Sequence, residues 1–120
     1  MTKAGDIEDR LIDFAVRVLK VTEALPSTKA GNHIAGQLVR SGTSLAPNYG
    51  EAQSAESRRD FIHKMKICLK ELRETLIWLR IIERKVLCPP ERLAEILKEC
   101  DELIAIFVAS VKTAEEKSLR

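Results

Sequence analysis

Residues 40–52, RSGTSLAPNYGEA, place a glycine and a proline five positions apart inside a segment that otherwise reads as helix. Either the chain turns here, or one helix runs through two of the poorest helix formers. The number of rods in the fold depends on the answer. Ile34, Leu38, Leu45 and Tyr49 keep helical spacing across the stretch, with Ser41 or Gly42 filling the gap. A turn would have no reason to preserve that register. The segment from Lys29 to about Gly50 is therefore read as one helix, bent near Gly42 and Pro47. Pro47 removes the bond its N–H would make to the Thr43 carbonyl, at a cost of about 3 kcal/mol in a helix interior. The Thr43 and Ser44 hydroxyls are placed to compensate locally, as Ser and Thr do in bent helices.

Three further periodic segments surround it. Ile7, Leu11, Phe14, Val18, Val21 and Leu25 form one face of a first helix, which Pro26 closes, and Ser27 or Thr28 can cap the next start. Phe61, Met65, Cys68, Leu72, Thr75, Leu79, Ile82 and Val86 hold a 4-3 repeat, widened by Ile62, Leu69 and Leu76 to the apolar face of a bundle helix. Ser57 with Asp60 marks its start as a capping box. After CPPE, where Pro90 suits a first helical turn, Leu93, Leu97, Cys100, Ile104, Phe107 and Val111 form a last stripe. Four amphipathic segments with short connections predict an all-α, antiparallel, up-down-up-down four-helix bundle, one domain over residues 1–120.

Composition agrees and excludes little else. The 120 residues are 45% hydrophobic and 32% charged, with a formal net charge of +2, so bulk charge selects no partner. Cys68 and Cys100 fall on apolar stripes, and Cys88 sits at a helix end where exposure is expected. No CxxC pair accompanies them, so neither a metal site nor a cofactor is expected. No apolar run reaches the roughly 18 residues of a membrane span, and a cytoplasmic setting without membrane contact is the expectation. Asp60-x-x-His63 has the carboxylate–histidine spacing of di-iron bundles but occurs once.

Three features bear on function. Gln37, Arg40, Ser44, Asn48 and Glu51 share one side of the bent helix, a polar stripe beside the core expected to form a network that fixes helix register. A lone Arg, Asn and Glu without a nucleophile name no reaction, so no catalytic residues are assigned and the protein is expected not to be an enzyme or to take a small-molecule substrate. On the third segment, Arg59, His63, Lys66, Lys70, Arg73, Arg80 and Arg84 recur opposite the apolar stripe, with Ile77 among them. They form a cationic rod about 35 Å long, suited to an RNA or DNA backbone, unless neighbouring acids such as Glu74, Glu83, Glu91, Glu95, Glu99 and Glu102 neutralise it. Ile67, Trp78 and Ile81 add apolar surface that the core stripe does not need. They mark a self-association face, unless the bundle itself covers them.

These residues carry a family resemblance. The segment from Gln37 to Ile82 resembles the core of the four helix bundle protein family, also known as intervening-sequence or S-type ribosomal proteins. The matching positions are Gln37, Leu38, Arg40, Ser44, Pro47, Asn48, Glu51, Ser57, Phe61, Ile62, Lys70, Glu71, Leu72, Glu74 and Thr75. Ala52 replaces a common Gly, and Tyr49 is bulkier than the usual Ile or Val. The resemblance implies a bundle that assembles as a homo-oligomeric ring of five. Some relatives are encoded within intervening sequences of large-subunit ribosomal RNA genes. The related accessory proteins of diversity-generating retroelements work with a reverse transcriptase on nucleic acid. Two readings stay open: a ring-forming binder of RNA or DNA, and a scaffold that recruits another protein.

Overall fold

The computed structural model describes residues 4–119. Helix α1 spans Ala4–Glu23, α2 Lys29–Thr43, α3 Leu45–Gln53, α4 Arg58–Lys85 and α5 Ala94–Ser118, with a short 3-10 turn at Pro90–Arg92 before α5. No strand occurs among the described residues. The fold is all-α, four helical rods of which the second is divided.

The division falls at Ser44, one residue wide, and Ser44 itself stays in the right-handed helical region. This interruption relieves the conflict in the 40–52 stretch. Starting α3 at Leu45 places Pro47 in the first turn, where its missing N–H would have had no partner in any case. The ladder resumes at once, with the Asn48 N–H donating to the Ser44 carbonyl at 3.1 Å. On the other side of the break, the Thr43 hydroxyl donates to the Val39 carbonyl at 2.5 Å and the Ser44 hydroxyl to the Ser41 carbonyl at 3.0 Å. These are the local hydroxyl bonds that bent helices use. Both α2 and α3 pack against α1 and α4, so they occupy one corner of the bundle as a single bent rod.

Gly42 explains the other half of the puzzle. A Cβ here would lie 2.7 and 2.8 Å from the two γ-carbons of Val18, so α2 crosses α1 at a distance only glycine allows. Gly31 is equally constrained, because a Cβ would stand 2.1 Å from the Pro26 carbonyl oxygen. Its N–H donates to Thr28 Oγ1 at 3.0 Å, which settles the α2 cap on Thr28 rather than Ser27.

The core draws on every rod. Ile7, Leu11, Phe14, Val18 and Val21 of α1 meet Ile34, Leu38, Leu45 and Tyr49, then Met65, Cys68, Leu72, Leu79 and Ile82 of α4. On α5 the buried residues are Ile96, Cys100, Leu103, Phe107 and Val111, with Leu93 just before them. The expected α5 stripe needs correction, since Leu97 and Ile104 are half-buried and Ile96 and Leu103 take the centre. Val86 also leaves the predicted stripe. It adopts φ 57°, in the left-handed region, and is 65% exposed. There it closes α4 as the Leu87 N–H donates to the Ile82 carbonyl and the Val86 N–H to the Glu83 carbonyl. That reversal folds Cys88 inward to 5% exposure, against the expectation of an exposed thiol. Burial raises all three thiol pKa values, those of Cys68 and Cys100 to about 12, so they act as small core residues.

Each rod has two neighbours. α1 packs on the α2–α3 rod and on α5, and α4 packs on the same two, so α1 and α4 stand at opposite corners.

Gly42→Ala is expected to destabilise the protein by about 1–3 kcal/mol through overpacking against Val18. Gly36→Ala, in open space on the same helix, should instead raise stability by up to about 1 kcal/mol. Urea denaturation of the two variants checks the contrast.

Candidate nucleic-acid interface

Two sets of functional candidates face different ways from this frame. The first is the seam between α2 and α4. Arg40 reaches across to Glu71 at 3.2 Å and to Glu74, with the Gln37 side-chain oxygen accepting from Arg40 at 3.4 Å. Glu74 also accepts from the Trp78 indole N–H at 3.1 Å, and the Trp78 ring meets His33 edge-on at 5.9 Å. Glu51 pairs with Lys64 at 3.6 Å, and Ser44 bonds within its own helix. The Asn48 side chain makes no hydrogen bond among the described residues.

The expected network is thus only partly assembled, and it is not buried, because Arg40 is 50% exposed. The buried polar contact is one that sequence spacing did not single out. Ser41 and Thr75, both fully buried, stand 2.8 Å apart, and Thr75 is also 2.8 Å from the Glu71 carbonyl. By spacing alone, Thr75 reads as one more residue of the apolar stripe and Ser41 as a residue that fills a gap in the stripe of its own helix. Their juxtaposition is the signal: two hydroxyls at core positions of facing helices need each other.

The second set is the cationic stripe. Arg59, His63, Lys66, Lys70, Arg73, Arg80 and Arg84 are all exposed on the outer side of α4. Lys66 pairs with Glu115 at 3.0 Å, and no other member of the seven has a salt bridge among the described residues. The acids that might have neutralised them are in part turned elsewhere. Glu99 and Glu102 of α5 hold Arg10 of α1 at 2.6 and 3.6 Å, while Glu74 holds Arg40. Beside Arg10, the Glu99 carboxyl is held below its ordinary range, chiefly by the hydrogen bond from the guanidinium.

The expected self-association residues differ among themselves. Trp78 is half-buried against α2, Ile67 is half-buried, and Ile81 is 39% exposed beside Ile77 at 57%. At one end of the bundle, Arg58, Phe61, Ser110, Thr113 and Lys117 line a groove of about 810 Å³ between α4 and α5. The Arg58 guanidinium there donates to the Lys117 carbonyl at 3.1 Å. No group of three or more His, Cys, Asp or Glu able to hold a metal occurs among the described residues. No helix of these residues is long and apolar enough to cross a membrane.

Comparisons with known proteins place this all-α chain in a family. The pattern of the 23S rRNA-intervening sequence protein family matches residues 5–109, and the chain belongs to that family. Among solved structures, a protein of unknown function from the S23 ribosomal protein family of Bacteroides thetaiotaomicron is similar, with a TM-score of 0.81 and 33% identity. The match covers 88% of this chain and 98% of that one. A comparison with curated proteins finds no match.

Two outcomes follow from the site's polar chemistry. Thr75→Val should cost about 1 kcal/mol, since the Ser41 hydroxyl keeps only its 3.5 Å contact to the Leu38 carbonyl, and the pair Ser41→Ala with Thr75→Val should recover part of that loss; a double-mutant denaturation cycle measures it. Because the folded state depresses the Glu99 pKa, its contribution is present above the unfolded value of about 4.3 and is lost as pH falls through the folded one. Glu99→Gln should therefore lower stability at pH 7 by up to about 1 kcal/mol, with the difference from wild type vanishing in acid.

Proposed function

We propose that the protein is a non-enzymatic, self-associating bundle that binds the phosphate backbone of RNA or DNA through the outer face of α4. One observation carries the reading: among the described residues, six of the seven in the cationic stripe have no acidic partner, while the Glu99, Glu102 and Glu74 carboxylates are committed to Arg10 and Arg40. Unpaired guanidinium and ammonium groups along a straight helix match the repeating charge of a nucleic acid. With one Trp, one Tyr and three Phe in the whole chain, base stacking has little to work with, so recognition is of backbone rather than sequence.

The helices in this reading run up-down-up-down. Contacts between α4 and α5 support it, joining Arg58 to Lys117, Lys66 to Glu115 and Leu72 to Cys100, so that one number falls as the other rises. Between the α2–α3 rod and α4 the same holds for Arg40 with Glu74, Leu45 with Cys68 and Glu51 with Lys64. Self-association completes the proposal. A ring, which the family resemblance implies to be five-membered, multiplies one modest stripe into several, and avidity raises affinity without new contacts. A cytoplasmic setting belongs to the same reading, in keeping with three unpaired, buried thiols.

Filter binding at 50 and 200 mM salt with duplex and single-stranded RNA and DNA tests this. Wild type should bind at low salt and weaken steeply with added salt. Replacing Arg59, Lys66, Lys70 and Arg73 by Gln should weaken binding at every sequence and flatten the salt slope by about three to four units on duplex. Absence of low-salt binding by wild type, or an unchanged slope in the variant, overturns the reading.

A further inference from the structure

Helix α1 carries more apolar surface than the core uses. Ile7, Leu11, Phe14, Val18 and Val21 are buried, yet Ile12, Val16 and Leu19 remain 46%, 45% and 42% exposed. Their spacing of four and three residues aligns them as a second stripe on the outside of the helix. Exposed acids border it: Glu8 and Asp9 one turn before, Asp13 alongside, and Glu23 one turn after, with Lys20 the nearby cation.

Helix α4 carries the counterpart. Ile77 and Ile81, 57% and 39% exposed, lie one turn apart and are bordered by exposed Arg80, Arg84 and Lys85. Neither face suits itself. Two α1 faces brought together would oppose acid to acid, and two α4 faces cation to cation, at a cost in each case. An α1 face against an α4 face joins aliphatic side chains along the middle and matches carboxylates to guanidinium groups at the rim, the arrangement of specific interfaces.

The two helices stand at opposite corners of one bundle, so a copy cannot satisfy its own faces. We infer that the α1 stripe of one copy docks on the Ile77–Ile81 patch of the next, head to tail. Such a contact is heterologous: every added copy presents one free face of each kind, and growth ends only when the chain of subunits closes on itself. Ile12, Val16 and Leu19 lie on the side of α1 away from Arg10, which pairs with α5, and Ile81 lies three residues from Trp78, which faces α2 through His33. Arg80 and Arg84 then serve the subunit contact, with Arg73, one turn before Ile77, at its edge, while Arg59, Lys66 and Lys70 lie further along α4.

This inference rests on the self-association proposed above and is independent of nucleic-acid binding. It is tested by light scattering on nuclease-treated full-length protein. The first variant, Val16→Gln with Leu19→Gln, removes the α1 face. The second, Ile77→Glu, places an acid where the α1 acids would arrive. All three positions are exposed, and circular dichroism confirms that each variant folds. Wild type should give a multiple of 13.5 kDa, and each variant alone the mass of one chain. An equimolar mixture should give two chains and stop there, because only one compatible pair of faces survives. A monomeric wild type would overturn self-association itself. An assembled wild type whose variants stay assembled, or whose variants remain single chains when mixed, would overturn this choice of faces while leaving self-association standing.

Discussion

The approach of α2 to its two neighbours at residues 41 and 42 is the constraint on which the rest of the structure depends. On one side Gly42 lets the helix backbone rest against the γ-carbons of Val18. On the other, the Ser41 hydroxyl meets Thr75 at 2.8 Å, with both groups removed from water. The first contact sets how close α2 lies to α1. The second helps to set its height along α4, because displacement by one residue would part the two hydroxyls and leave each with only a carbonyl of its own helix. A helix held at two successive residues has little freedom left, and the break at Ser44 comes two residues later, where it also lets Pro47 fall in a first turn. Below it, α3 restarts with Pro47 in a first turn and carries Leu45 and Tyr49 into the core. Tyr49, bulky for its position, is accommodated edge-on against Phe107 at 5.7 Å.

Electrostatics divides the surface by the same geometry. Once α2 is seated on α4, Arg40 takes up Glu71 and Glu74, and the half-buried Trp78 indole is tied to Glu74. Once α1 is seated beside α5, Arg10 takes up Glu99 and Glu102. Glu71, Glu74, Glu99 and Glu102 are thereby committed at its seams. A chain with net charge of only +2 presents one helix face whose positive charge is mostly unanswered. Bulk composition is a poor guide to such a face, since the field at a surface depends on which charges remain there.

Much of the fold was legible in the chain, and for a physical reason. The stripe through Ile34, Leu38, Leu45 and Tyr49 kept one rod across Gly42 and Pro47, because burial of one face repeats with the helical period, although the single helix read there is two, parted at Ser44. The Thr28 and Ser57 caps, the outward placement of the α4 cations and the interior cysteines on α4 and α5 follow from the same local rules. Legibility ended where a residue's role depends on what stands opposite. Thr75 looked like one more stripe residue until Ser41 appeared beside it. Trp78 looked like spare surface until His33 and Glu74 covered part of it. The α1 residues Ile12, Val16 and Leu19 drew no notice, since a stripe becomes surplus only after the core has been filled by others. Val86 kept the heptad spacing, yet the chain reverses there, and periodicity carries no information on where a helix stops.

Taken alone, then, the sequence determined the number of rods, the family and the apolar faces of all but the last, because period, capping and punctuation are properties of neighbouring residues. The tertiary structure decided the depth at which α2 packs, which charges cancel and which stay free, and which apolar side chains are left over. Those outcomes belong to pairs of residues far apart in the chain, from Val18 and Gly42 to Arg10 and Glu99. Such pairs exist only once the helices have packed.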